Sequence, residues 1–221
     1  MVEKVRGTAN IGLTELGKKQ VEQAGEMLKK LGGLDLLYYS NLNRCVQTAD
    51  ILFSILTLKK YNLGPEIDPW HLGEYEGQPV EEVKDKLEYY VFHPDEVVPG
   101  VGFNAPGESF NQFKKRFLTV LYELRRRSKA CKIGVVANYR TLTLARAWMY
   151  AGANSTDIVS SAMFVPARTG EVLYLSPIST VTEEITDDTK NTLENGIYII
   201  RHGETPWNGT SNSSNGNGAG S

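Results

Sequence analysis

The residues of this chain that could do chemistry gather in a few short strings, and the most reactive of them comes late. A run from Gly196 to Ile200 leads into Arg201-His202-Gly203-Glu204-Thr205, followed by Pro206-Trp207-Asn208. In open α/β sheets, ligands bind beyond the carboxyl ends of the strands, where loops diverge and backbone donors point outward. A histidine at that place is set to react. Arg201 beside it offers a planar fork of donors that matches phosphate oxygens, and it keeps its charge at physiological pH. Gly203 permits close backbone approach, and a carbonyl there could fix the tautomer of the imidazole. Taken alone, an Arg-His pair reads more simply as a packed histidine beside a solvated charge. The longer string around it changes that reading.

Arg201-His202-Gly203-Glu204-Thr205-x-Trp207-Asn208 resembles the signature that opens members of the histidine phosphatase (phosphoglycerate-mutase-like) superfamily. Four further segments agree with it. Arg6-Gly7 through Leu13-Thr14-Glu15-Leu16-Gly17 is similar to the stretch that normally follows the signature. Ser40-Asn41-Leu42-Asn43-Arg44-Cys45-Val46-Gln47-Thr48-Ala49 is similar to the next motif, whose arginine binds the transferred phosphate. Leu72-Gly73-Glu74-Tyr75-Glu76-Gly77 and Pro106-Gly107-Glu108-Ser109 resemble two later ones. The histidine string stands first in the family and last here, so the resemblance implies a circularly permuted order. Residues 179–195 would then join the original ends, and the new ends would open in the loop after Asn208 and before Arg6.

The resemblance implies attack of the His202 imidazole on a phosphomonoester, giving a phosphohistidine that water hydrolyses. Arg201, Arg44 and Asn138 would meet the phosphoryl oxygens. Gly203, Thr205, Asn208 and His71 would complete the substrate contacts. Two positions depart from the pattern. The family's second histidine is replaced by Asn138, whose amide can donate a hydrogen bond but carries no charge. The family's acidic proton donor, four residues before Gly73, is replaced by Pro69. Glu108 and His71 are the leading substitutes for that acid, ahead of Asp68, Glu74 and Glu76. Each of these carboxylates by itself reads as a solvated surface group. The expected activity is phosphomonoester hydrolysis, impaired by Asn138 and Pro69. The alternatives are a weak or inactive phospholigand-binding module and a mutase-type phosphotransferase, the latter disfavoured by the compact region between Gly77 and Pro106.

These residues need a scaffold that brings both ends of the chain together. Residues 14–30 have apolar positions at helical spacing behind Thr14 as N-cap, and Gly32-Gly33 stops that helix. Residues 34–40 read as a buried strand and 41–58 as a helix. Further helices are predicted over 80–92, 109–127 and 141–150, and further strands over 133–137, 163–165, 172–175 and 196–201. This succession predicts a three-layer α/β sandwich, a mostly parallel central sheet flanked by helices. Residues 179–195, rich in Thr, Asp and Glu, read as an acidic linker, and 209–221 as a disordered tail outside a single domain over 1–208.

Composition limits the partners. With 221 residues, 41% hydrophobic and 23% charged, one sizeable domain is expected. A net charge of −2 gives no long-range field to gather nucleic acid or an anionic membrane surface, so any anionic substrate must be held by a local arginine cluster. Cys45 and Cys131 lack metal-ligand spacing and read as reduced structural thiols. No apolar run of about 18 residues occurs and no secretory pattern opens the chain, which predicts a soluble, cytoplasmic protein. The expected partner is a small phosphorylated substrate or inorganic phosphate, with no metal and no cofactor. The sequence carries no signal for an oligomeric state.

Overall fold

A computed structural model describes residues 2–100, 105–152, 168–180, 182–186, 188 and 192–208. The predicted strand at 163–165 and the predicted tail at 209–221 lie outside the described residues.

Six strands form one sheet: β1 (Leu36–Tyr39), β2 (Lys59–Asn62), β3 (Lys132–Ala137), β4 (Val172–Leu175), β5 (Thr182–Glu184) and β6 (Gly196–Arg201), in the order β2-β1-β3-β6-β4-β5. β2, β1, β3 and β6 run parallel, whereas β4 pairs antiparallel with both β6 and β5. The last strand in sequence is therefore central. It pairs along its whole length with β3, Gly196 opposite Lys132 through Arg201 opposite Ala137.

Alternation along β6 divides the core into two layers. Ile197 and Ile199 face one side of the sheet with Ile133, Val135 and Ala137, and Tyr198 and Ile200 face the other with Val136 and Leu37. The first layer is completed by Val83, Leu87 and Val91 of α3 (Val80–Phe92), Phe113, Phe117 and Leu121 of α4 (Phe110–Arg127), and Leu142 and Leu144 of α5 (Tyr139–Tyr150). The second is completed by Val21 and Leu28 of α1 (Glu15–Lys30) and Cys45, Ala49 and Leu52 of α2 (Asn43–Ile55). This is the three-layer α/β arrangement expected from the pattern of elements.

The helices begin where their caps are. The Thr14 hydroxyl accepts from the Gly17 N–H at 3.0 Å, and Ser109 and Gln112 form a reciprocal capping box before α4. Both sheet edges differ from expectation. The helix predicted over 41–58 ends at Ile55, and Lys-Lys-Tyr-Asn at 59–62 forms edge strand β2. The acidic segment 179–195 contributes edge strand β5 and buries Ile185 and Leu193. Polar residues suit an edge, because a charged edge resists pairing with other chains.

Helix α1 bears directly on the loop that follows β6. The Thr14 N–H donates to the Glu204 carbonyl at 2.9 Å, and the Glu204 N–H donates to Gln20 Oε1 at 2.9 Å. Two glycines allow the approach: a Cβ on Gly17 would stand 2.1 Å from the Glu204 carbonyl oxygen, and one on Gly203 would stand 2.1 Å from the Gly17 carbonyl oxygen. In an ordinary helix interior Gly→Ala stabilises by up to about 1 kcal/mol. At this contact the sign reverses: Gly17→Ala is expected to destabilise by about 1–3 kcal/mol through overpacking, read as a lower urea midpoint.

Candidate active site

β1, β3 and β6 are neighbours that run in the same direction, so their carboxyl ends open together. The residues that follow them, Ser40, Asn138 and His202, are all buried. α2 and α5 start just beyond β1 and β3, and each has an arginine as its second residue, Arg44 and Arg140. Their first turns bring the positive end of each helix dipole to the strand ends, which suits an anion, although in α2 the first N–H groups already have acceptors, Asn43 in Asn10 Oδ1 at 2.7 Å and Arg44 in the Ile11 carbonyl at 3.1 Å. Among the described residues, a cleft of about 410 Å³ is lined by His202, Arg201, Arg44, Asn138, Arg6 and Arg140, with Val5, Trp70, Leu72 and Leu87 as apolar wall.

His202 is 1% exposed. Its Nδ1 lies 2.7 Å from the Gly203 carbonyl oxygen; a carbonyl only accepts, so Nδ1 carries the proton and the lone pair is left on Nε2. Burial, with the positive charges of Arg44 and Arg201, holds the imidazole well below its ordinary value, and it is neutral at pH 7. A neutral imidazole with a fixed tautomer beside several guanidiniums is arranged as a nucleophile toward an anion.

Arg44 is completely buried, and each of its three guanidinium nitrogens has an acceptor. Nη1 donates to the Ala9 carbonyl at 2.6 Å, Nη2 to the Gly7 carbonyl at 2.7 Å, and Nε to Asn138 Oδ1 at 2.7 Å. Burial lowers Arg44 from the usual guanidinium range, and burial with the neighbouring Arg6 brings Arg201 down to about 10; both stay charged at pH 7. Arg201 and Arg140 each lie 5.3 Å from the centroid of the Tyr139 ring. Arg6 donates to the Trp207 carbonyl at 3.2 Å and pairs with Glu3.

Of the sequence-predicted site residues, His202, Arg201, Arg44 and Asn138 meet in the cleft, and Gly203 fixes the imidazole through its carbonyl. The others serve the walls. Glu108, the favoured acid, is outside the cleft lining: its two oxygens take Arg116 Nε at 3.0 Å and Nη2 at 2.7 Å. A carboxylate clamped by a bidentate guanidinium has both oxygens committed to that ion pair, away from the cleft. His71, also outside the lining, has its Nε2 4.0 Å from Glu76. Glu76 itself accepts from the Thr8 N–H and hydroxyl and from the Leu72 N–H, tying two loops together. Thr205 is buried and donates through both N–H and hydroxyl to Asn208 Oδ1, so this pair shapes the turn after His202.

Asn138 differs most from expectation. Its Oδ1 accepts from Arg44, its Nδ2 points at Cys45 Sγ at 3.7 Å, and its N–H donates to Thr141 Oγ1 at 2.8 Å. The amide expected to donate to a phosphoryl group instead holds the guanidinium that lines the cleft. Arg6, Tyr139 and Arg140 were not singled out as site residues from sequence. The available signal for Arg140 was its place: an arginine three residues beyond a buried strand and, like Arg44, at the second position of a helix.

Comparison with known proteins agrees with this geometry. The model of the histidine phosphatase superfamily (branch 1) matches residues 2–158. A phosphoglycerate mutase of Candida albicans is 44% identical over 46 residues; the match covers 20% of this chain and only 18% of that relative's length. Among solved structures, a phosphoserine phosphatase from Entamoeba histolytica, in complex with 3-phosphoglyceric acid, superposes with a TM-score of 0.61 at 18% identity, covering 86% of this chain and 91% of that one. A mycobacterial glucosyl-3-phosphoglycerate phosphatase gives 0.56 at 17% identity, covering 86% and 92%. At such identities the likeness is one of fold.

Two outcomes follow from the site's electrostatics. Asn138→Leu removes the acceptor of a buried, charged donor, and inorganic phosphate affinity measured by calorimetry is expected to fall by about tenfold or more. The second concerns pH. Because His202 binds its proton less readily folded than unfolded, the stability it contributes is complete above the ordinary histidine value near 6.5 and declines as pH falls below it. Between pH 7 and 5 the unfolding free energy should drop by up to about 1.4 kcal/mol per pH unit from this group. His202→Gln should show a smaller drop in urea denaturation.

Proposed function

Since the chain belongs to the histidine phosphatase superfamily, we propose that it is a phosphomonoester hydrolase acting through a phosphohistidine on His202. The observation that carries this reading is the 2.7 Å contact of Nδ1 with the Gly203 carbonyl, which leaves Nε2 unprotonated in a cleft lined by arginines. In the first step the Nε2 lone pair forms a bond to phosphorus while the bond from phosphorus to the ester oxygen breaks. Arg44, Arg201 and Arg6, the arginines whose charges bear on the imidazole, stabilise the charge that spreads over the equatorial oxygens. Water then attacks phosphorus, the bond to nitrogen breaks, and the imidazole returns to its neutral state as inorganic phosphate leaves.

Protonation of the departing oxygen is the weak step. Pro69 cannot supply a proton, Glu108 is held by Arg116, and the carboxylates among the described cleft-lining residues are Glu3 and Glu88. A missing general acid commonly costs about a hundredfold or more in rate, so slow turnover on alkyl phosphates fits this site. Commitment of Asn138 to Arg44 and Cys45 also favours a second reading, a phospholigand-binding module with little turnover. We read the order of the motifs as a circular permutation: the family match ends at residue 158, and the 201–208 string beyond it brings His202 beside Arg44.

The deciding experiment is incubation with a labelled aryl phosphate, followed by acid and base treatment of the denatured protein. Hydrolysis through His202 predicts protein-bound label that is labile in acid and stable in base, absent in His202→Ala, with label released to water. Vanadate binding without any label transfer would leave the binding reading. Transfer of label to a second hydroxyl compound in preference to water would make it a mutase.

A further inference from the structure

The backbone of His202 is held from both of its neighbouring strands. On one side its N–H donates to the Ala137 carbonyl at the end of β3, at 3.1 Å. On the other side β4 runs antiparallel to β6 with Val172 opposite Ile200, so the residues that precede β4 lie opposite Arg201 and His202. The Arg201 N–H donates to the Glu171 carbonyl at 2.8 Å, and the Gly170 N–H is shared between the carbonyls of Arg201 and His202 at 3.2 and 3.4 Å. This second clamp is a tight turn and no longer a strand, because the Glu171 N–H donates back to the Arg168 carbonyl at 3.2 Å.

One carboxylate closes that turn. Glu171 and Arg146 of α5 are both buried; Glu171 Oε1 accepts from Arg146 Nη2 at 2.6 Å, and Oε2 accepts from the Arg168 N–H at 2.8 Å. Neither side chain is among the described residues that line the cleft. As a source of stability such a pair is a weak device, since exchanging a buried ion pair for apolar residues of similar volume is often neutral or stabilising. What it supplies, and an apolar pair cannot, is direction. A planar carboxylate fixes the turn with one oxygen and α5 with the other, and α5 starts directly after Asn138 at the end of β3. The two clamps on His202 thereby belong to one polar network.

We propose that Glu171, with Arg146, is a positioning residue for the nucleophile: it holds the 168–171 turn against the carbonyls of Arg201 and His202 and so sets where the imidazole and the Arg201 guanidinium stand in the cleft. Neither Glu171 nor Arg146 touches the reacting atoms. Their effect is on distance and angle, and a misplacement of about 1 Å at a reacting group can cost about a hundredfold in rate.

The inference rests on the phosphohydrolase reading for the part that the imidazole plays, and the test reads the imidazole as well as the reaction, so that the two can fail separately. The double variant Arg146→Met/Glu171→Leu replaces the pair by apolar residues of similar volume and is expected to keep a urea midpoint close to that of the parent protein. Phosphohistidine formation, followed in a single turnover with a labelled aryl phosphate, should nevertheless slow about ten- to a hundredfold. The dissociation constant for inorganic phosphate should change by less than about threefold, because Arg44 is held by Gly7, Ala9 and Asn138 rather than by the turn. Nitrogen-15 spectra of histidine-labelled protein, with the His202 signals assigned by their loss in His202→Ala, should show the single Nδ1-protonated form of the parent replaced by exchange between tautomers. Glu171→Gln, which keeps the shape but leaves one oxygen for two donors, should show the same changes and carries the test should the double variant fail to fold. A parent-like rate or parent-like His202 signals in the folded double variant, or in Glu171→Gln where that variant carries the test, overturn the positioning role. If the parent protein transfers no label, the phosphohydrolase reading falls alone, and the His202 signals decide: altered in the folded variant they uphold the inference, unaltered they overturn it.

Discussion

A guanidinium taken completely out of water has to be surrounded by acceptors, and the way Arg44 meets that requirement organises the site end of the molecule. The effective penalty for burying an ion is several kcal/mol, repaid only when geometry and hydrogen bonding are good. Here the Gly7 and Ala9 carbonyls come from the segment before α1, and the third acceptor is the Asn138 side chain at the end of β3. One buried cation thus fixes the loop over the cleft, the start of α2 and the end of a central strand relative to each other. The glycine contact between Gly17 and the 203–204 turn sets the histidine loop against the same assembly from the other side.

A second arginine does comparable work away from the cleft. Nη1 of Arg116, from α4, reaches the carbonyls of Pro65, Glu66 and Asp68 at 2.6, 3.1 and 3.0 Å, while Nε and Nη2 hold Glu108. This collects the irregular loop before Pro69 and the start of α4 around one planar group. It also shows why a carboxylate in a resembling motif need not be an acid: Glu108 belongs to the framework that shapes the wall containing Pro69 and Trp70.

The centre of the fold was legible in the sequence because its signals are strong and local. β3 and β6 are apolar on both faces, α4 has an apolar stripe behind a Ser-x-x-Gln cap, and the His202 and Arg44 strings lie where a strand gives way to a loop or helix. The edges were not legible. Lys59–Asn62 and Thr182–Glu184 have no apolar alternation, and they become strands because a neighbour offers unpaired backbone groups, a tertiary cause that no local pattern records. The roles of polar side chains were hidden for a related reason. Whether Asn138 and Glu108 face a ligand or a partner depends on Arg44, 94 residues from Asn138, and on Arg116, which the winding of α4 brings back over Glu108.

The position of β6 has a consequence for how the chain reaches this state. Without residues 196–201 the sheet is two unconnected pieces, β2-β1-β3 and the β4-β5 pair, each with an open edge that is apolar and ready to pair. Most contacts that define the cleft therefore join segments very far apart along the chain, a topology that slows folding and prolongs exposure of those edges during synthesis. Selection for a functional phosphate cleft would then act on the rate at which one six-residue strand is captured, and self-association of the waiting halves would be the competing fate.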